Sequence, residues 1–430
     1  MNRAIQNFET LALNTLRLDA LSLAEAGYGA INTGSALLRE IHIEGDALSI
    51  GAITYPLNNR RVFFVGIGKC AIAAAVAIEK ILGDRLTSGI ALDVANQEEH
   101  NLSKIQAYIG THPLPSEENE KATTHIVEML TSCEKDDLVL MLISGGGSTL
   151  ICLPTAPMTC TDEQVLFKEL TRAGATIQEL NTVRKHTSRA RGGGLAKAAY
   201  PAEVVSLIVS DVPGNDIAYI SSGPTIRDTS TIDDALAVLA QYGIAPPATY
   251  AFVETPKEEK YFERVTNTLF LTNQHALLAM QHEAMRRGYT ATIMTDHFAG
   301  EARDIGNTIL ETLHTMPSKT ILLYAGESTV TLKSYENAGG RNQEMALSVL
   351  PDIRPDELIL PFASDGHDNT DHAGAIADEL TNAHAKEKGL SVPDYLARHC
   401  SYDFFAMTGD ALSTGYTESN VSDIIIAIKN

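Results

Sequence analysis

The feature that most constrains the fold of this chain is a series of short, predominantly apolar runs. The runs cover residues 61–65, 89–94, 138–143 and 204–209, and stretches of helical character separate them. Strands that are apolar on both faces are buried on both faces, as in a parallel sheet covered by helices. The sequence therefore predicts an α/β fold with a parallel sheet in this part of the chain.

A second α/β series follows a stretch, residues 245–260, that is rich in proline at its start and charged at its end. Its strands are expected near residues 268–271, 290–295, 321–324, 358–363 and 424–428. A chain of 430 residues is longer than one hydrophobic core usually serves. We therefore predict two domains, residues 1–255 and 256–430, with an active-site cleft between them.

Charge and cysteine content exclude several classes of partner. The chain has 33 basic and 54 acidic residues, a formal charge of −21, which argues against nucleic acid or an anionic membrane as a partner. Its 5 cysteines form no C-x-x-C pair, and residues 1–10 lack the apolar stretch of a secretory signal. We expect a cytoplasmic protein that acts on small molecules, and a homodimer is left open.

The first apolar strand ends in a glycine loop, Val65-Gly66-Ile67-Gly68-Lys69-Cys70-Ala71. Glycines allow a sharp turn, the helix that follows offers N–H groups to an anion, and Lys69 adds a positive charge. The same loop fits G-x-G-x-x-A, and Asp93 ends the next strand as in dinucleotide-binding proteins. An NAD(P)-dependent reductase is therefore an alternative at this point.

A second loop, Ser144-Gly145-Gly146-Gly147-Ser148, follows the buried run at residues 138–143. Three glycines in succession expose consecutive N–H groups, which suits a phosphate, and the flanking hydroxyls can donate to phosphate oxygens. The loop is not a Walker A motif because no Gly-Lys-Ser/Thr ends it. We interpret it as an anion site rather than a flexible connection, since three glycines weaken a fold unless they are required.

Basic and acidic residues near other strand ends complete the candidate site. Arg184, Lys185 and Arg191 lie close together beside Gly192-Gly193-Gly194, which favours an anion site over a solvated helix face. Asp211 follows the run at residues 204–209, where it could accept a proton from a hydroxyl. In the second half, Arg341 follows two glycines at an expected helix start, and arginine binds carboxylate or phosphate through paired donors.

These motifs, in this order, resemble those of the glycerate 2-kinase family, which includes the module called "multi-organism fragment rich in leucine". The resemblance rests on VGIGKCA, GTHPLPSEEN, ISGGGSTL, VRKH with its GGG, SDVPGND, SSGPT, AGGRNQE, SDGHDNTDHAGAIAD and TGYTESNVSD. It implies a Rossmann-like N-terminal domain, a second α/β domain, and ATP with Mg²⁺ as phosphoryl donor. It also implies that D-glycerate, an alcohol acceptor, is converted to 2-phosphoglycerate.

Lys69 and Arg341 match the cationic residues of the family's interdomain cleft, and we add Asp211 as a third catalytic candidate. The expected substrate- or nucleotide-binding residues are Gly66, Gly68, Ser144, Gly145, Gly146, Gly147, Ser148, Arg184, Lys185, Arg191, Asn273 and Glu327. Asp365 and Asp368 are the expected metal ligands. Two alternatives remain: an NAD(P)-dependent hydroxypyruvate reductase, and a non-catalytic sensor of sugar acids or sugar phosphates.

Overall fold

A computed structural model of the chain describes residues 3–94, 101–247, 249–332 and 339–430. The helices of these residues are α1 (Phe8–Leu11), α2 (Thr15–Ile31), α3 (Thr33–Glu40), α4 (Ala71–Leu82), α5 (Glu117–Thr131), α6 (Gly147–Leu150), α7 (Cys160–Arg172), α8 (Ile177–His186), α9 (Gly194–Ala199), α10 (Ile232–Gln241), α11 (Asn273–Arg286), α12 (Ala302–Thr315), α13 (Arg341–Val349), α14 (Glu379–Glu387), α15 (Val392–Ala397) and α16 (Ser401–Thr408). The strands are β1 (Ile41–Glu44), β2 (Ala47–Ile50), β3 (Ile53–Pro56), β4 (Val62–Ile67), β5 (Leu86–Asp93), β6 (Ile105–Ile109), β7 (Leu138–Ile143), β8 (Glu203–Val209), β9 (Val265–Leu271), β10 (Thr290–Glu301), β11 (Thr320–Thr329), β12 (Glu357–Ala363), β13 (Gly374–Ala375), β14 (Ala377–Asp378), β15 (Ala411–Leu412) and β16 (Asp423–Lys429).

One compact unit, comprising Thr33–Asp211 and Asn215–Phe270, is built on a sheet with the strand order β6-β5-β4-β7-β8-β9. The five strands from β6 to β8 pair in parallel. Every residue of β4 and β7 is buried, because each strand is apolar on both faces. The predicted parallel α/β sheet is confirmed, and the preceding strands β1, β2 and β3 form a separate antiparallel sheet.

The other compact unit comprises Met1–Asn32, Val212–Gly214 and Leu271–Asn430. Its sheet has the order β10-β11-β16-β12-β13-β15, and β14 also pairs with β12. β10 and β11 are parallel, whereas the fully buried β16 runs antiparallel to both of its neighbours, β11 and β12. The unit is therefore a second α/β structure, as predicted, but with a mixed sheet.

The division of the chain into compact units differs from the predicted boundary at residue 255. α2 belongs with the C-terminal half, where Gly27 packs so closely that a Cβ there would lie 3.1 Å from Sδ of Met280 on α11. The expected strand near 268–271 is β9, which joins the first sheet. The stretch at residues 245–260, which separates the two predicted domains, is also part of the first unit, where Thr255 and Lys257 hydrogen-bond to Asp228.

Where the chain is described, no helix combines the length and the apolar character needed to cross a bilayer.

Candidate active site

The glycine loops after β4 and β7 contact each other at the carboxyl edge of the parallel sheet. The two strands are direct neighbours, so their following loops leave the sheet side by side. The N–H of Ser144 donates to the carbonyl of Ile67 over 2.8 Å, and the N–H of Lys69 donates to the carbonyl of Gly145 over 3.0 Å. Ligands of open α/β sheets bind at this edge, which makes the loop pair the first candidate site.

The residues that fit the dinucleotide fingerprint have internal roles. Gly68 has a φ of +112°, and a Cβ there would lie 2.1 Å from Oγ of Ser144. The neighbouring loop therefore occupies the space beside Gly68 that a pyrophosphate would need. Asp93 is buried, and its carboxylate accepts from the N–H of Ile72 at the start of α4 over 3.0 Å. Gly66 lies inside β4, where a Cβ would be 3.0 Å from the carbonyl of Ala71.

Gly145 and Gly146 present N–H groups that donate to no acceptor among the residues described. Gly145 is buried, and buried N–H groups are almost always paired, so this pair indicates a place for a ligand acceptor. Gly146 has a left-handed φ of +82°, and a Cβ there would lie 3.4 Å from Cγ of Lys69. The Lys69 side chain therefore runs beside these amides and adds a positive charge to them.

Hydroxyl groups line the far end of the same loop. Oγ of Ser222 lies 2.9 Å from Oγ of Ser148 and 2.7 Å from Oδ1 of Asn181 on α8. Ser221 donates to the carbonyl of Ser144 over 2.8 Å, which leaves Gly147 no room for a side chain. Ser221 and Ser222 both have left-handed φ values, of 52° and 58°, a strain that tends to persist where function requires it.

The three predicted cations around α8 differ in their partners. Arg191 is fully buried and forms a bidentate pair with Glu163, at 2.6 and 3.1 Å. Lys185 pairs with the buried Asp228 over 3.0 Å. These internal ion pairs replace the ligand contacts predicted for Arg191 and Lys185, whereas Arg184 forms no ion pair with any described residue.

Asp211 follows β8, the parallel neighbour of β7, and so belongs to the same sheet edge as the glycine loops. Its side chain is half-buried and has interactions within the fold. This placement is compatible with contact to a ligand on the Gly145–Gly146 amides.

In the other unit, Arg341 begins α13 and is already paired with two carboxylates. It donates through Nε to Asp423, the buried first residue of β16, and through an Nη group to Glu327 over 3.1 Å. Burial opposes the charge of the guanidinium, but these carboxylates outweigh it and hold the pKa of Arg341 above its ordinary value. Glu327 and Arg341, both predicted as site residues, therefore lie in one cluster and form an ion pair with each other.

The structure gives Asp368 a role other than the predicted metal ligation. Its buried carboxylate accepts from the N–H groups of Asn342 and Gln343, over 3.0 and 2.8 Å, and so caps the start of α13. Asp365 accepts from the N–H of His367 over 3.1 Å. The described parts of the chain contain no group of three or more His, Cys, Asp or Glu residues that could hold a metal ion.

Asn273, another predicted contact, is the first residue of α11. Its Nδ2 donates to the carbonyl of Asp296 over 2.8 Å and to Oγ of Ser422 over 3.1 Å. Its Oδ1 is buried, with no donor among the described residues, and is therefore a free acceptor. Asn273 thus remains a candidate ligand residue.

Sequence reasoning did not select Ser222, Asn181 or Asp423 as site residues. Of these three residues, Asp423 has the clearest signal in the sequence, because it is an acidic residue at the first position of the apolar strand β16. Ser222 and Asn181 are 41 positions apart, and only the folded chain brings them together.

The fold and these sites define the class: an α/β protein whose two glycine loops meet at the carboxyl edge of a parallel sheet and form a candidate anion site. Residues 19–254 match a family described as a domain of unknown function, DUF4147, and residues 320–423 match the MOFRL family. A glycerate 2-kinase from Pyrococcus horikoshii is 34% identical, with 96% of this chain and 97% of that protein aligned. The chain belongs to the glycerate 2-kinase family.

Two further relatives bear on the alternatives. A crystal structure of glycerate kinase from Thermotoga maritima superposes with a TM-score of 0.84 at 30% identity, covering 97% of this chain and 100% of that chain. A protein of Agrobacterium vitis, 37% identical over 85% of this chain and 86% of its own length, carries a provisional hydroxypyruvate reductase name.

Proposed function

We propose that this protein is a glycerate 2-kinase that transfers the γ-phosphoryl group of ATP to the 2-hydroxyl of D-glycerate. The observation that carries the proposal is the pair of Gly145 and Gly146 N–H groups, which find no acceptor in the described part of the chain and lie beside the Lys69 side chain. Such a set of fixed donors stabilises the charge on a transferring phosphoryl group. Relatives named glycerate 2-kinase align over nearly the whole chain, which supports the same reaction here.

In this reaction the 2-hydroxyl oxygen of glycerate forms a bond to the γ-phosphorus while the bond from that phosphorus to the ADP oxygen breaks. The hydroxyl proton must leave, and we assign Asp211 as its acceptor because Asp211 shares the sheet edge with the glycine loops. Lys69 neutralises charge on the phosphoryl group. The expectation that Arg341 serves the same reacting group remains a prediction.

We infer that Mg²⁺ accompanies the nucleotide rather than a dedicated protein site. Magnesium in kinases is held by substrate phosphates and only one or two carboxylates. The described residues fit that mode, since they offer no cluster of three or more acidic, His or Cys ligands, and Asp368 is used as a helix cap. Asp365 is the expected metal ligand that remains.

The reductase alternative lacks support in the loop geometry. A dinucleotide site needs the acidic residue for a ribose hydroxyl and the second glycine for approach of the pyrophosphate. Here Asp93 caps α4 and Gly68 packs against Ser144. The sensor alternative predicts binding without turnover, which the assay below distinguishes.

Three finer expectations stay as proposals. We assign residues 320–423 to the module called "multi-organism fragment rich in leucine". We also retain a cytoplasmic location and leave a homodimer open.

Purified protein, Mg-ATP and D-glycerate test the proposal directly when ADP formation is followed by a coupled assay. We expect ADP release that depends on both glycerate and Mg²⁺. A parallel reaction contains hydroxypyruvate with NADH or NADPH in place of ATP and glycerate. Oxidation of the nicotinamide cofactor without ATP consumption would favour the reductase, and ligand binding without either reaction would favour the sensor.

A further inference from the structure

Arg184 on α8 is a buried cation without an anionic partner among the described residues. Its side chain is 7% exposed, and its guanidinium carbon lies 3.8 Å from the centre of the Phe167 ring on α7. Its Nε is buried and finds no hydrogen-bond acceptor in the described chain. Stacking on an aromatic ring orients the guanidinium but does not replace hydrogen bonds to the planar donor fork.

The charges around Arg184 do not balance. Arg191 lies nearby and takes the only carboxylate that the described residues supply to this cluster, that of Glu163. Two buried guanidinium groups therefore share one carboxylate, which leaves one net positive charge. Burial, and then repulsion by Arg191, lower the pKa of Arg184 to about 9. A buried charge of this kind is costly unless something pairs with it.

Helix α8, which carries Arg184, is linked to the end of the glycine loop through Asn181. Asn181 lies three residues before Arg184, on the same face of α8, and bonds Ser222, which in turn bonds Ser148. Nε of Arg191 donates to the carbonyl of Ser148 over 2.9 Å. A ligand that rests on the Gly145 and Gly146 amides would thus have hydroxyls and a guanidinium at one end.

We propose that Arg184, together with the hydroxyls of Ser148 and Ser222, binds the carboxylate of the hydroxy acid substrate. The assignment rests on the proposed kinase function and specifies how its acceptor is recognised. One net positive charge matches a carboxylate of charge −1, and the fork of arginine fits its two oxygens. The more highly charged phosphates of ATP are left to the glycine amides and Lys69.

The test compares Arg184→Met with Arg189→Met, a matched control because Arg189 is an exposed arginine outside the proposed machinery. Methionine keeps an unbranched, flexible side chain that can pack against Phe167, and it removes the charge. In Arg184→Met we expect the KM for D-glycerate to rise about 30-fold or more, the KM for ATP to stay within about twofold, and Arg189→Met to behave as wild type. Glyceramide, which lacks the negative charge, should be used equally poorly by wild type and Arg184→Met.

Two further readouts separate recognition from a structural role. The wild-type KM for D-glycerate should rise above a pH of about 9, as Arg184 loses its proton, and this rise should be absent in Arg184→Met. Without ligands, Arg184→Met should melt at the same temperature as wild type or higher, because it removes an unpaired buried charge. D-glycerate alone should raise the melting temperature of wild type and leave that of Arg184→Met unchanged.

Defined results would overturn the assignment. An unchanged KM for D-glycerate in Arg184→Met, or a rise in the KM for ATP instead, would show that Arg184 does not bind the acid. A clearly lower melting temperature of ligand-free Arg184→Met would show that the charge is satisfied internally. These outcomes leave the kinase proposal intact, whereas that proposal fails if wild type itself does not phosphorylate D-glycerate.

Discussion

At the scale of single residues, Lys69 is the cation that we expect to neutralise charge on the phosphoryl group, and its side chain is not part of the hydrophobic core. It is half-buried, and it passes over Gly146 beside N–H groups that have no acceptor within the described ranges. We predict that Lys69→Ala lowers kcat on the order of a hundredfold, as does removal of one donor from an oxyanion site. The melting temperature should change little. Steady-state kinetics with D-glycerate measures the effect.

The control for Lys69 is Lys80→Ala, which removes an exposed lysine from α4, the helix that follows the Lys69 loop. It should retain wild-type kinetics. Turnover by Lys69→Ala within about twofold of wild type would contradict a role for this cation in phosphoryl transfer.

Arg341 differs from Lys69 because its charge also holds a buried carboxylate. Asp423 is 1% exposed, and removal of Arg341 leaves it unpaired. We predict that Arg341→Ala lowers the free energy of unfolding by about 2–3 kcal/mol, below the range for a fully buried pair because the arginine side chain is 32% exposed. Chemical denaturation measures this change.

A second substitution separates stability from function at the same pair. Arg341→Ala combined with Asp423→Asn removes both charges, and we expect it to recover most of the lost stability while turnover stays low. Recovery of both stability and turnover would show that Arg341 has only a structural role.

At the scale of elements, the start of α13 depends on the protonation of Asp368. Burial raises the pKa of this carboxyl group to about 7, and the negative charge of Asp423 adds to the rise. An acid with a raised folded-state pKa contributes stability that is complete below its unfolded pKa and is lost as the pH passes through the folded pKa. The free energy of unfolding is therefore predicted to fall as Asp368 ionises in the folded state, between about pH 4 and 7.

The measurement is the difference in the free energy of unfolding between wild type and Asp368→Asn as a function of pH. Wild type should lose stability relative to the variant from pH 5 to 7, by at most about 1.4 kcal/mol per pH unit, and the difference should level off above about pH 7. Asp137→Asn is the control, because burial opposes ionisation of Asp137 but hydrogen bonds from Arg61 outweigh it and lower its pKa. Its difference from wild type should stay flat over this range, and a flat Asp368 difference would contradict the prediction.

The elements were easier to predict than the roles of their acidic residues. The runs that became β4, β7 and β8 are apolar on both faces, and such a pattern has few alternatives to a buried strand. Asp93 and Asp368 follow strands as ligand residues do, yet each caps a helix. Sequence spacing cannot distinguish these uses, because the helix N–H groups that bind them belong to other segments.

At the scale of the whole molecule, the units do not follow the order of the chain. α2 carries the buried Arg17, which pairs with Asp378 and Asp410 near the other end of the sequence. Such long-range pairings leave no local pattern in the sequence, so the partners of α2 could not be predicted from it. The predicted boundary at residue 255 consequently places α2 and β9 in units other than those in which the structure has them.

Truncated proteins test this division. We predict that residues 33–270 fold cooperatively by themselves, because they retain the whole first sheet. Residues 1–255 should fold poorly, since they lack β9 and expose the face of α2 that packs on α11. Thermal unfolding followed by circular dichroism measures both, and a more cooperative transition for residues 1–255 would contradict the division.

The central claim is that this chain phosphorylates the 2-hydroxyl of D-glycerate, and phosphorus NMR of the product tests it most directly. With Mg-ATP and D-glycerate, we predict ADP and one new phosphomonoester signal in equal amounts. The new signal should be a doublet, because the phosphorus of 2-phosphoglycerate couples to the single proton on C2. Unchanged ATP, or a triplet from a phosphate on the CH₂ oxygen, would contradict the claim.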